Sequence, residues 1–445
     1  MKIIHTAFCL FFAAVLSEGI LPAQGTSFSG SVKSAAGTYV YGEDNAGHIS
    51  LAKETASGTL DASAGGCAAY ATGSISFDAL TAAQTGTISA ADGLAAQLGE
   101  AWFSWTGSAF ADGLTAGIKA GRQITAWGKA DSIRIADVLC PQDLTTLSAS
   151  TYSESRLGVD ALTLTLSGTV FSADVYWIPV FRPSALPLQD TNPLRKILIP
   201  ASVSVNGTTV PVTAGSIERP ERTLADGSYA GRVSFWFPVI DFSLYGYYGW
   251  DDTPVVTYSL VMDGYTPSGV TVSGSYYRYG MAGFDAALPA GPFVFRTECA
   301  FFIERALART PETVLAGGSS YLRKNQLMTL AGIDWTHDDW TVTAQYYEDI
   351  VLDWNDTIDR KMRRPGATLS INRSFLSDTL TFALSGAVNW NDLDSCAELS
   401  ADYALTDQVT LTLAADGLFP GPDGDGTYGT YRELSNVRLS GVYRF

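Results

Sequence analysis

Chemistry at a protein site needs a general base, a nucleophile, a set of metal ligands or an array of fixed charge, so the residues able to supply these are read first. Of the three histidines, His5 lies in an apolar N-terminal segment, His48 in a polar loop and His337 in a tight turn beside Asp338. A hydrolase needs a base, usually His, beside a nucleophile or a water. Neither His48 nor His337 has such a neighbour in a pocket, and His337 reads as a solvated turn residue, so no enzyme is expected. Metal-ligand clusters, phosphate-binding loops and nucleotide fingerprints are absent from the sequence, and no cofactor is expected. Outside the N-terminal segment, Cys67, Cys140, Cys299 and Cys396 stand far apart without CxxC spacing. An oxidising compartment permits disulfides, but spacing assigns none. They read as small apolar residues, with Cys299 and Cys396 on opposite strand faces.

The charged residues form the more informative constellation. Arg296 and Glu298, then Glu398, Asp402, Asp416, Arg438 and Arg444, fall on one side of alternating segments, and Arg232, Lys324 and Asp334 do the same elsewhere. Fixed charge on one face of many strands suits a water-filled lumen. There it either pairs across strands or makes a field of opposed acidic and basic walls that orients permeating solutes.

The elements that would carry these charges follow from period-2 patterns. In "SDTLTFALSGAVNW" Leu380, Phe382, Leu384, Val388 and Trp390 oppose Thr381, Ala383, Ser385 and Asn389; in "LSNVRLSGVYRF" Val437, Leu439, Tyr443 and Phe445 oppose Asn436, Arg438, Ser440 and Arg444. The apolar face carries no charge and the other face does. Alternation alone also suits a β-sandwich. Connection lengths separate the two: tight turns (405–408, 375–378, 336–339, 289–292, 237–239, 167–169) alternate with mostly long loops (417–430, 351–363, 306–321, 183–225). That is the pattern of a transmembrane antiparallel β-barrel, with short turns on one rim and long loops on the other. About eighteen strands are expected between residues 26 and 445, or sixteen if the Ala/Gly/Ser/Thr-rich stretch 26–96 forms fewer.

Bulk composition agrees. Charged residues are 16 % and aromatics 12 %, with 43 glycines, where ordinary globular domains carry roughly 25 % charged residues. No run reaches the ~18 uninterrupted apolar residues of a helical span. The net charge of −17 argues against nucleic acid, whose phosphates it would repel. Residues 1–23, with Lys2, an apolar run Ile3–Leu16 and Ala23 at a cleavage point, read as a secretory signal peptide, so the remainder, 24–445, is expected to be exported to an outer membrane of a Gram-negative-type envelope. Partners would be the lipid bilayer, small hydrophilic solutes, and the barrel-assembly machinery with its periplasmic chaperones. Tyr443 and Phe445 are expected to sit in the interfacial girdle and, because outer-membrane barrels very commonly end on an aromatic, to serve as the assembly signal.

The stretch "AGRQITAWGKADSIRIADVLCPQD" resembles a segment that recurs in alginate-export-type and related porin-like outer-membrane barrels, through Arg122, Gln123, Trp127, Gly128, Asp131, Asp137, Pro141 and Asp143. "GFDAALPAGPFVFRTE" (Asp285, Arg296, Glu298) and "LAGIDWT" (Asp334) look like strand ends of the same families. The resemblance implies a barrel transporter in which this segment passes inside and narrows the pore. The expected function is passive diffusion of small hydrophilic solutes through a charged lumen, constricted by loops near 127–152 and 183–225. The alternatives are a surface-exposed structural or adhesin barrel without an open pore, and a transporter of apolar ligands.

Overall fold

The computed structural model describes residues 25–43, 45–84, 93–146, 155–189, 192–195, 199–205, 207–424 and 426–445. The expected signal peptide at 1–23 and the loop residues 147–152 lie outside them. Eighteen strands form one closed antiparallel barrel. In chain order the strands are β1 (Gly25–Tyr39), β2 (Ile49–Ala64), β3 (Cys67–Asp78), β4 (Leu94–Ser108), β5 (Thr115–Gln123), β6 (Val159–Ser167), β7 (Phe171–Ile178), β8 (Ser202–Val205), β9 (Thr208–Glu218), β10 (Ser228–Phe237), β11 (Ile240–Trp250), β12 (Val255–Asp263), β13 (Thr266–Ser275), β14 (Arg278–Ala290), β15 (Phe293–Ala308), β16 (Tyr321–His337), β17 (Trp340–Val351), β18 (Arg363–Phe375), β19 (Leu380–Asn389), β20 (Asp394–Ala404), β21 (Val409–Phe419) and β22 (Asn436–Arg444). Four of them, β8, β9, β12 and β13, stand outside the barrel, so β7 pairs directly with β10 and β11 with β14. The seam closes where β1 pairs antiparallel with β22, Val32 opposite Tyr443 and Gly37 opposite Arg438. Closure removes the free edges that an open sheet would leave unpaired.

Each strand is split by its alternation. On β22 Leu439 and Tyr443 point outward, 58 % and 44 % exposed, and on the neighbouring strands so do Leu384, Leu399 and Leu413. Arg438, next to Leu439 on β22, turns inward to pair with Glu398 and Asp416. Aromatics mark both ends of the outer band. Phe235, Phe237 and Phe242 stack at the tight-turn rim, and Tyr346 meets Trp390 edge-on at the other. Phe445 lies at the seam, where its backbone exchanges hydrogen bonds with Gly30 (2.9 and 3.0 Å) and its ring packs between Phe28 and Tyr443. The four described cysteines are unpaired thiols, with Cys396 buried inside and Cys299 opposite the outward Phe284.

Stretch 26–96 forms its full complement of strands, so the count is eighteen and not sixteen. Two boundaries differ from expectation. Period-2 alternation makes 272–288 read as one strand, yet the stretch is divided: β13 ends at Ser275 and the barrel strand β14 begins at Arg278. The alternation in "TVSGSYYRYG" runs through that corner, so periodicity alone shows no break. Loop 183–225 also contains structure of its own. Hairpin β8–β9 joins hairpin β12–β13 through a parallel β9–β13 pairing, and Val205, Val210 and Val270 form the small core of this four-stranded rim sheet.

The two faces make a sharp prediction. Leu384→Arg, on the outer face near mid-strand, should cost about 2–4 kcal/mol and abolish insertion, whereas Ser385→Arg, one residue on and facing the lumen, should be tolerated. Heat-modifiable migration of the assembled barrel reads both; equal effects would mean that the faces are misassigned.

Candidate constriction and lumen charges

Segment 124–158, described at 124–146 and 155–158, connects β5 to β6 on the long-loop rim, and its residues 127–140 fold into the barrel. Its apolar run places Ile135, Ala136, Val138, Leu139 and Cys140 against inward-facing Tyr176, Tyr247, Tyr279, Met281, Phe302 and Leu330, in one buried cluster. Trp127 seats against Tyr245 with centroids 4.8 Å apart and against Tyr176 at 5.8 Å. Burial pushes the Cys140 thiol up to about 11, so it stays protonated and packs as an apolar group.

Polar contacts decide the height and turn of the segment. Glu298, 1 % exposed, accepts the backbone N–H groups of Lys129 (2.6 Å), Ala130 (2.8 Å) and Ala136 (2.6 Å). A buried carboxylate loses several kcal/mol of hydration, and three charge-assisted hydrogen bonds of about 1.5–3 kcal/mol each offset that loss. The turn has to be glycine: Gly128 has φ +85°, and a Cβ there would lie 2.3 Å from a Glu298 oxygen. The Gly128 N–H donates to the Tyr245 hydroxyl at 3.2 Å, and that hydroxyl in turn donates to Asp285.

Next to the clamp, Arg296 donates to the Lys129 carbonyl (2.7 Å) and pairs with Asp131 (2.7 Å) and Asp334. Gln345 accepts the Asp131 N–H at 3.2 Å. At the far side Asp137 accepts the Trp127 N–H (3.1 Å) and pairs with Arg156 (2.6 Å). Asp143 caps the Thr145 N–H at 3.0 Å, while neighbouring Leu144 donates to Ala185 of loop 183–225.

Sequence reasoning singled out two groups of residues here, and the structure distributes them unevenly. Trp127, Asp131, Asp137 and Asp143 lie on the infolded segment. Arg122 and Gln123 end β5 beneath it, Arg122 paired with Asp160 (2.9 Å) and Gln123 buried on Thr163 and Ala161. Of the expected lumen charges, Arg296 holds the segment and Asp334 pairs with Arg296 behind it. Glu298 does not line open water, because the segment covers it. Arg232 pairs with Asp174 at 2.8 Å; Asp402 accepts from Thr412; Lys324 stands opposite Arg305 in the ladder. Glu398 and Arg438 belong to a separate cluster with Asp416, on β20–β22.

Three ion pairs were not foreseen: Arg134–Asp252 (2.6 Å), Arg305–Asp251 (2.7 Å) and Arg360–Asp349 (2.7 Å). Strict alternation from Glu298 assigns Arg305 to the outer face. A bulge between Phe302 and Arg305, with Glu304 at φ +55°, turns it inward. The signal that could have exposed this is the cost of a guanidinium in the apolar band.

The fold has counterparts among solved structures, including three from Pseudomonas aeruginosa. OpdK, determined with vanillate, is 8 % identical and superposes with a TM-score of 0.51, covering 95 % of this chain and 99 % of that one. OccK9 (OpdG) is 9 % identical with a TM-score of 0.52 and the same coverage. OccK2 (OpdF), in complex with glucuronate, is 10 % identical with a TM-score of 0.50, covering 95 % and 98 %. No curated protein sequence matches the chain. The expected resemblance to porin-like barrels therefore holds for the fold, and the family model that matches is not an alginate-export one. It spans residues 35–427 and is described as a protein of unknown function, DUF1302, and the chain belongs to that family.

Proposed function

We propose that the chain is an outer-membrane channel for passive diffusion of small hydrophilic solutes, and not an enzyme. The observation that carries this reading is the pairing of a closed eighteen-strand barrel with an infolded segment clamped by Glu298 to one wall of a charged interior. Passage would follow the rest of the lumen, with Asp131, half exposed beside Arg296, on the segment's edge. The vanillate and glucuronate of the similarly folded OpdK and OccK2 support solutes of this size class. An alginate-export-type role is the finer reading of the 121–143 stretch, supported by the placement of that stretch inside the barrel. The adhesin reading draws on the rim sheet, whose β12–β13 hairpin holds a fully exposed Tyr265.

Export through the 1–23 signal peptide, handling by periplasmic chaperones and recognition of Tyr443 and Phe445 by the barrel-assembly machinery belong to the same proposal. The seam position of Phe445 supports the last of these, because a strand that must close the barrel is a sensible one for an assembly factor to hold.

Two measurements test the reading. Glu298→Ala strands three buried N–H groups at about 1–3 kcal/mol each and should release the segment. Single-channel conductance in planar bilayers should then rise above that of the native protein, and absence of conductance in both would favour the closed adhesin barrel. Deleting Phe445 should lower the assembled yield in cells far more than the melting temperature of barrel refolded in detergent. Normal yield with lowered melting would leave Phe445 a structural anchor only.

A further inference from the structure

Above the infolded segment, on the long-loop side, lies a cavity of about 340 Å³ between Arg134, Ile135 and Val138 of the segment and the wall at Tyr279, Phe302 and Arg305. Pockets of roughly 300–1,000 Å³ are the size that takes small organic molecules. Three guanidiniums and three carboxylates line it, paired as Arg134–Asp252, Arg305–Asp251 and Arg360–Asp349, so its formal charge is zero although the chain's is −17. The pairs are linked: Arg305 also donates to Gln326 (3.2 Å), whose amide donates to Asp349 (2.6 Å).

The hydrogen-bonding capacity of the lining is only partly used. Arg305 engages three nitrogens, two on Asp251 and one on Gln326, out of five N–H groups. Arg360 Nη2 lies 2.7 Å from Asp349 yet is buried without an aligned hydrogen bond. Asp349 accepts from Gln326, and Asp252 from Arg134, each with further lone pairs in its inventory. The cavity floor is apolar and aromatic, with the Arg305 guanidinium 4.9 Å from the Phe302 ring centroid.

We propose that this cavity is a solute-binding basin for zwitterions that carry an apolar substituent, the chemical class of neutral α-amino acids. A simple anion on the unused N–H groups, or a simple cation on the unused lone pairs, would bring a net charge into a neutral basin and bury it without a counter-charge, which costs several kcal/mol. A zwitterion lies antiparallel to an existing pair. Its carboxylate takes the unused N–H groups of Arg360 and Arg305, its ammonium takes the lone pairs of Asp349 or Asp252, and no pair is broken. Its side chain covers Ile135 and Phe302. The proposal rests on the channel reading only for its role in transport, because binding itself can be read on the isolated barrel.

The test compares L-leucine with two molecules that each lack one of its charges, 4-methylpentanoate and 3-methylbutylamine. Titration calorimetry on the detergent-solubilised protein should show leucine binding about tenfold more tightly than either, the worth of one charge-assisted hydrogen bond. In Arg360→Gln/Asp349→Asn that preference should vanish. Liposome swelling with leucine and with arabinose reads the channel separately. Arabinose entry with no calorimetric preference for leucine overturns the basin and leaves the channel standing; preference without entry of either solute overturns the channel and keeps the basin. If the double variant fails to assemble, the three-ligand comparison on the native protein still decides.

Discussion

A carboxyl group buried inside a protein must be surrounded by hydrogen-bond partners, and the interior of this barrel is arranged around one that is. Glu298 projects from β15 where three backbone N–H groups of the infolded segment converge on it. The requirement runs both ways. The carboxylate needs the donors because burial has stripped its water, and the N–H groups of residues 129, 130 and 136 need an acceptor because the segment has neither helix nor ladder to supply one. Gly128 is the only residue type that permits the turn between them, and Trp127 and the 135–140 run can settle on the tyrosine-rich wall only once that turn is made. Arg296 extends the clamp to Asp131 and Asp334. The placement of the segment inside the barrel is thus a property of a few bonds to one wall.

Barrel closure frees those bonds to be so particular. Eighteen ladders satisfy the backbone of every spanning strand, and the outward Leu, Phe and Tyr positions take the apolar surroundings, so little of the inner face is needed for stability. Inward positions can hold Tyr, Arg, Asp and Gln in numbers that a packed protein core would not tolerate. They are held in pairs, as in Arg438 with Glu398 and Asp416, or Arg232 with Asp174.

This division also explains what could be read in the sequence. Alternation and connection length are direct consequences of a sheet with lipid on one face and water on the other, so the strand count, the rims and the faces of Leu384, Leu439 and Arg438 follow from spacing. Where local backbone breaks the period, the reading goes astray. The bulge at Phe302–Arg305 moves Arg305 from the outer face to the inner one, and the corner at Tyr276–Tyr277 hides the start of β14. Arg122, Trp127, Asp131 and Asp137 could be grouped by their nearness in sequence. Their partners Asp160, Tyr245, Arg296 and Arg156 come from elsewhere in the chain, and only closure of the barrel brings most of them together. The rim sheet was hidden for a related reason, since its parallel β9–β13 pairing joins residues such as Val212 and Val270, far apart in the chain and beyond the reach of local pattern.

The charge of the chain is not spread evenly. Overall it is strongly acidic. The cavity above the infolded segment is locally neutral, with Arg and Asp in equal number, and it shares Arg134 with the segment itself, whose backbone carbonyls at Asp137 and Cys140 accept from the same guanidinium that pairs with Asp252. Whatever occupies the cavity therefore touches a residue that helps to hold the constriction. Arg134 has three nitrogens committed to the segment and to Asp252, so a solute that competed for Asp252 would loosen that hold, whereas one that lay beside the pair would not. A neutral basin is the electrostatic arrangement in which a solute can be held next to the infolded segment without weakening the contacts that hold the segment in place.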